Sequence, residues 1–187
     1  MKFKHILLTV SFLLIFAGSD LLAIRRRGDY FVRPQIGIWF GPTTPLFELR
    51  DEIDNSMGAG IFGRLNTPCK PLKIGIESSY QNHSSFGTND LTLVPIHGDL
   101  LYRLPVDTPL NFQLKAGFGS SWIYIKPDMQ SRWDPTLLLG GEVSFPAGKL
   151  ANVGLRIDYL NLIESHLEGS SINGHMLNIG LTVYFNL

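Results

Sequence analysis

The sequence has a single cysteine, Cys69, little charge, no net charge, and no long apolar run beyond its first segment. One cysteine excludes an intrachain disulfide and a cysteine-built zinc site. The lack of a cysteine near the start argues against a lipid-anchored N-terminus. Lys plus Arg and Asp plus Glu number 16 each, so no excess of either sign points to a nucleic-acid partner or an acidic tail. Charged residues make up 17% of the chain, below the roughly 25% usual in soluble domains. After the first segment no stretch reaches the roughly 18 apolar residues of a membrane helix, so membrane residence would require a closed barrel.

At 187 residues, with no interior change of composition, the chain suits one domain. Gly is abundant at 19 residues and aromatics reach 11%. The N-terminus follows the plan of a signal peptide: Lys2, Lys4 and His5 precede an apolar run from Ile6 to Ala17, too short to span a bilayer stably. Cleavage is expected after Ser19, which makes 1–19 a signal peptide and 20–187 the barrel domain; Ala23 is the later alternative. A retained anchor helix is the competing reading. Arg25, Arg26 and Arg27 read as a solvated segment before the first strand.

The remainder alternates with the period of two that a barrel wall demands, since successive side chains of a strand point to opposite faces. Leu177, Ile179, Leu181, Val183, Phe185 and Leu187 alternate with Asn178, Gly180, Thr182, Tyr184 and Asn186. The same pattern predicts strands over Tyr30–Phe40, Met57–Leu65, Leu72–Tyr80, Leu91–Leu104, Leu110–Tyr124, Thr136–Phe145 and Asn152–Tyr159. Pro95, inside the fourth, costs a ladder hydrogen bond and predicts a bulge or a strand end. Eight strands bring both chain ends to one side. Short turns at Asn66–Pro71, Pro105–Pro109 and Pro146–Ala151 alternate with longer connections at Gly41–Ser56, Gln81–Asp90, Lys126–Pro135 and Asn161–Asn173, as expected when turns face the periplasm and loops face outward. A soluble, lipocalin-like barrel would also alternate, with its apolar phase inward. The many glycines of the polar phase, among them Gly58, Gly117 and Gly154, would coat a water-facing wall poorly but fit a crowded interior.

Val94-Pro95-Ile96 leading into Tyr102-Arg103-Leu104, Ala116-Gly117-Phe118-Gly119, Gly140-Gly141-Glu142 and the closing Ile179 to Phe185 run resemble the small eight-stranded outer-membrane barrels, the OmpA-, OmpX- and OmpW-like class. The resemblance covers nearly the whole mature chain and implies an all-β, antiparallel, up-and-down transmembrane barrel behind a cleavable signal peptide. In that family the last strand ends in an aromatic residue that the barrel-assembly machinery recognises, and Phe185 fits.

If the apolar phase faces lipid, Arg33, Arg64, Lys73, Glu77, His97, Asp99, Arg103, Lys115, Glu142, Arg156 and Asp158 point into a lumen wide enough only for side chains. Charges of both signs predict a paired plug, because an unpaired buried charge is costly; a gated ion path along the same residues is the alternative. Tyr30, Trp39, Phe40, Trp122, Tyr124, Tyr159 and Phe185 are candidates for interfacial girdles, against ordinary strand packing. His83-Ser84-Ser85 invites comparison with the His-x-Ser signature of lipid A deacylases, although Phe86 stands where that family has Asn; a polar loop is the plainer reading. Glu164, His166, Glu168 and His175 lack a strong metal spacing and read as solvated loop.

The sequence therefore predicts a noncatalytic protein of the outer membrane, holding loops for a structural, adhesive or partner-binding role. A narrow conduit for small or apolar solutes and a lipid A-modifying enzyme are the alternatives. Expected partners are outer-membrane lipid and, during biogenesis, the barrel-assembly machinery. No cofactor, metal or nucleic acid is expected, and the protein is expected to be a monomer.

Overall fold

The computed structural model describes residues 33–69, 71–85, 90–106, 108–127, 129–148, 150–167 and 170–187, with the backbone alone at 164–167 and 170–173. The signal-peptide segment and Tyr30 lie outside these residues. The elements are β1 (Gln35–Leu46), a 3-10 helix (Phe47–Asp51), β2 (Ser56–Asn66), β3 (Leu72–Ser84), β4 (Asp90–Arg103), β5 (Asn111–Lys126), β6 (Gln130–Pro146), β7 (Ala151–Leu167) and β8 (Ser170–Asn186). Each strand pairs antiparallel with the next, and β1 pairs with β8, so the sheet closes into an eight-stranded barrel. Among the described residues no helix is long and apolar enough to cross a membrane.

The alternation sorts the side chains. Ile36 and Ile38 of β1, Ile76 of β3, Leu114 of β5, Ile157 of β7 and Leu181 of β8 stand exposed on the outer wall, while their polar neighbours turn inward. Such a continuous apolar belt far exceeds the patches a water-soluble monomer exposes. Hydrocarbon tolerates it because closure pairs every strand on both sides and leaves no edge strand.

Three expectations change. The segments read as long loops at Lys126–Pro135 and Asn161–Asn173 are mostly ladder, with Tyr124↔Ser131, Ile125↔Gln130 and Leu167↔Ser170 paired. Polar strands above the belt gain backbone pairing just as apolar ones do, so the chain spends these residues on longer strands. β7 and β8 shift register between Leu162 and Ser165. β1 likewise runs on to Leu46, well past Phe40. Finally, Pro95 makes neither a bulge nor a strand end. Ser78↔Ile96 and Gln81↔Leu93 keep one register across a local gap, and Pro95 pairs normally with Ser121 on the β5 side. Its missing N–H therefore falls on the β3 side, where the ladder skips.

Candidate functional site

The lumen is filled in layers. At the rim where β1 begins and β8 ends, Gln35 Nε2 donates to Asn186 Oδ1 at 3.0 Å. Lys73 Nζ donates to Asn66 Oδ1 at 2.9 Å and to the Arg33 carbonyl. Arg33 itself is exposed and Arg103 half-buried at this mouth, whereas the other nine charged or imidazole residues expected inside are buried.

One layer further in, Arg64 of β2 reaches across to Glu142 of β6, donating from Nη2 at 2.7 Å and Nη1 at 3.2 Å. Its guanidinium lies 4.0 Å from the Phe62 ring centroid and 5.6 Å from that of Tyr184. The Tyr184 hydroxyl is 2.7 Å from Ser144 Oγ. Above this, Arg156 of β7 donates to Glu77 of β3 at 2.5 Å and to its own strand's Asp158. Lys115 of β5 donates to Glu77 at 3.0 Å and to Asp158 at 3.1 Å. Both long-range pairs, β2 to β6 and β3 to β7, join strands four apart in an eight-membered ring, so they span the diameter. Three cations thus meet three carboxylates with several hydrogen bonds each, the condition under which buried ions are tolerated. Asp99 is a fourth, buried carboxylate whose Oδ1 has no hydrogen-bond partner and rests against Gly117, where a Cβ would sit 2.3 Å from it. His97 Nε2 lies 2.9 Å from Thr136 Oγ1.

Trp39 corrects the aromatic expectation. It is only 1% exposed and sits inside the barrel, with Arg156 4.6 Å above its ring. Its phase with outward Ile38 and Phe40 already required this, and the glycines at 58, 60 and 180 leave the room: a Cβ on each would lie within about 3 Å of the indole. Of the other aromatics, Phe40 and Phe185 stand on the outer wall. Trp122 and Tyr124 stack at 5.6 Å and 10°, and Tyr159 stacks on His175 at 5.8 Å and 21° with its hydroxyl 2.5 Å from Nδ1. Exposed Trp133, opposite Trp122, joins the outer cluster unforeseen.

The outer half of the lumen holds an apolar cluster, with buried Thr43, Gln81, His83 and Ser121 beside it. Leu91, Leu93, Ile123, Leu138, Leu160, Leu162 and Met176 point inward, and Leu49 and Ile53 from the connection after β1 drop into them from above. The consecutive Leu137-Leu138-Leu139 was a signal for this layer, since apolar residues in both phases mark a strand buried on one side and lipid-facing on the other.

Among the described residues, the His83 ring is directed to the lid and β1, away from Ser85. The two ring nitrogens lie 2.9 Å from the Asp54 carbonyl and 3.4 Å from Thr43 Oγ1, and neither of these partners is Ser85. Glu168 and the side chains of Glu164 and His166 lie outside what is described. Among the described residues no three His, Cys, Asp or Glu side chains converge as a metal site.

No family model matches the chain, and no curated protein matches it in sequence. Solved structures match it in shape. Neisserial surface protein A is 9% identical, with a TM-score of 0.68 over 82% of this chain and 97% of that one. The N-terminal barrel domain of Pseudomonas aeruginosa OprF is 17% identical, with a TM-score of 0.48 over 83% and 98%. The outer membrane enzyme PagL is 13% identical, with a TM-score of 0.47 over 82% and 99%. At such identities the likeness is one of fold. Closed by eight antiparallel strands, belted with apolar side chains and filled with paired charge, the chain has the fold of the small outer-membrane β-barrels.

Proposed function

We infer that the protein is a sealed, noncatalytic barrel of the outer membrane, a monomer assembled by the barrel-assembly machinery after loss of residues 1–19, whose outer rim carries a structural, adhesive or partner-binding role. The observation that supports this reading is the double closure of the lumen: a charge network braced across the diameter, and above it an apolar plug roofed by Leu49 and Ile53. An ion would have to cross both, displacing paired charges and then packed apolar side chains. What the barrel offers to the outside is its rim, where Phe47 and Met129 are 69% and 77% exposed.

Aromatic side chains on the outer wall, Trp122, Tyr124, Trp133 and Tyr159 toward the outer rim and Phe185 toward the inner one, would anchor the belt at the two interfaces. The test is conductance of the purified protein in a planar bilayer, together with lipid A acylation in a strain overproducing it. Silence and unchanged lipid A are the expected results. Steady ion current would replace this reading with a conduit, and shortened acylation with an enzyme.

A further inference from the structure

The connection between β1 and β2 is built as a lid. Its 3-10 helix and the residues after it pack Leu49 and Ile53, both essentially inaccessible, into the apolar plug. Backbone and side-chain bonds from β3 hold it there. Asp54 N–H donates to the Ser84 carbonyl at 2.8 Å, Ile53 bridges to Ser85, and the Asp54 carbonyl accepts from His83. The entry to the lid is strained: Phe47, a bulky residue, has φ of 53° and leaves most of its ring exposed, edge-on to His175 at 5.2 Å. Left-handed backbone at a bulky non-glycine residue is unfavourable, so the closed position is held against a local penalty.

His83 stands where β1, β3 and the lid meet. It lies beyond the belt, whose outer edge on β3 is exposed Tyr80, followed on the same face by polar Asn82 and Ser84. A carbonyl can only accept, so Nδ1 carries the proton toward Asp54, and Nε2 of the neutral ring accepts from the Thr43 hydroxyl. We propose that His83 is the latch of this lid, closing the segment 47–55 over the apolar plug while neutral and releasing it when the ring takes up a proton.

The physics is linkage. In the closed barrel the ring is wholly buried, and burial holds its proton affinity below that of a free imidazole, against the opposing pull of the Asp54 carbonyl. The second proton would also turn Nε2 from acceptor to donor and leave the Thr43 hydroxyl to find another acceptor. Lifting the lid admits water to the ring, so the open form binds the proton better, and acid favours opening. The closed form keeps its advantage above the free-imidazole pKa of about 6.5 and loses it progressively as pH falls below that value. The charged groups at the level of His83 on the elements around it are the lid's Glu48, Arg50, Asp51, Glu52 and Asp54 and Asp90 of β4; all but half-buried Glu52 are exposed, and His175 of β8 faces outside the wall, while Arg64 of β2, Lys73 and Glu77 of β3 and His97, Asp99 and Arg103 of β4 lie deeper along their strands, toward the charge network and the inner mouth. Because the charge network lies below the plug, opening exposes the apolar side chains of the plug to the exterior and leaves the barrel closed to ions.

Thiol accessibility tests the latch in the refolded full barrel in phosphatidylcholine vesicles. Leu49→Cys and, as an exposed reference, Phe47→Cys are each placed in a Cys69→Ser background and reacted with a charged, membrane-impermeant thiosulfonate. The ratio of the two rates at each pH cancels the chemistry of the thiol. It is expected to rise about fivefold or more between pH 7.5 and 5.5, and to stay level in His83→Gln, which keeps a donor for the Asp54 carbonyl but does not titrate. Amide exchange over 49–53 in the unsubstituted protein, corrected for its intrinsic pH dependence, reads the same opening without altering the plug. A ratio and exchange that ignore pH, or that rise equally in His83→Gln, would overturn the proposal.

Discussion

Arg64 and Glu142 lie 78 residues apart in the chain and on opposite walls of the barrel, yet are joined by two hydrogen bonds at the centre of the lumen. Removing one partner strands a buried charge. Arg64→Met or Glu142→Leu alone should destabilise the barrel by about 3–5 kcal/mol, while the double variant should recover most of that loss because nothing charged is left behind. Urea unfolding in lipid vesicles measures the cycle; additive losses would mean that the pair is no pair.

Two glycines of the wall should behave oppositely. A Cβ at Gly119 would lie 1.9 Å from the Ile96 carbonyl oxygen, whereas at Gly98 the nearest atom is the Phe118 carbonyl oxygen at 3.9 Å. Gly119→Ala should therefore prevent closure, and Gly98→Ala should fold as the parent does. Heat-modifiable mobility in detergent gels distinguishes closed from open chains.

Met129, at the tip of the β5–β6 hairpin, combines φ of 52° with almost complete exposure. Met129→Gly gives up no packing and removes the left-handed penalty, so it should raise stability by up to about 1 kcal/mol. A loss on unfolding in urea would show that Met129 is held by contacts.

The sequence made the wall legible because one rule, apolar out and polar in, holds along the belt, as Ile157 beside Arg156 and Asp158 illustrates. The lumen-facing charges were legible for the same reason, although their partners were not: nothing local tells Arg64 that Glu142 lies opposite. For Trp39, aromatic character points to the outer wall and phase points to the lumen, and phase decides. The plug escaped notice where the rule changes, above the belt, since Leu93 and Leu160 are apolar on the inward phase. Leu49 and Ile53 escaped it because a connection carries no period from which burial can be read.

The account depends on which medium meets the apolar phase, and paramagnetic access reads this directly. Nitroxides at Ile157→Cys and Leu181→Cys, in a Cys69→Ser background in lipid vesicles, should relax with dissolved oxygen and ignore a water-soluble nickel chelate; one at Met129→Cys should do the reverse. Free access of the chelate to positions 157 and 181 would contradict a lipid-facing wall and the reading built on it.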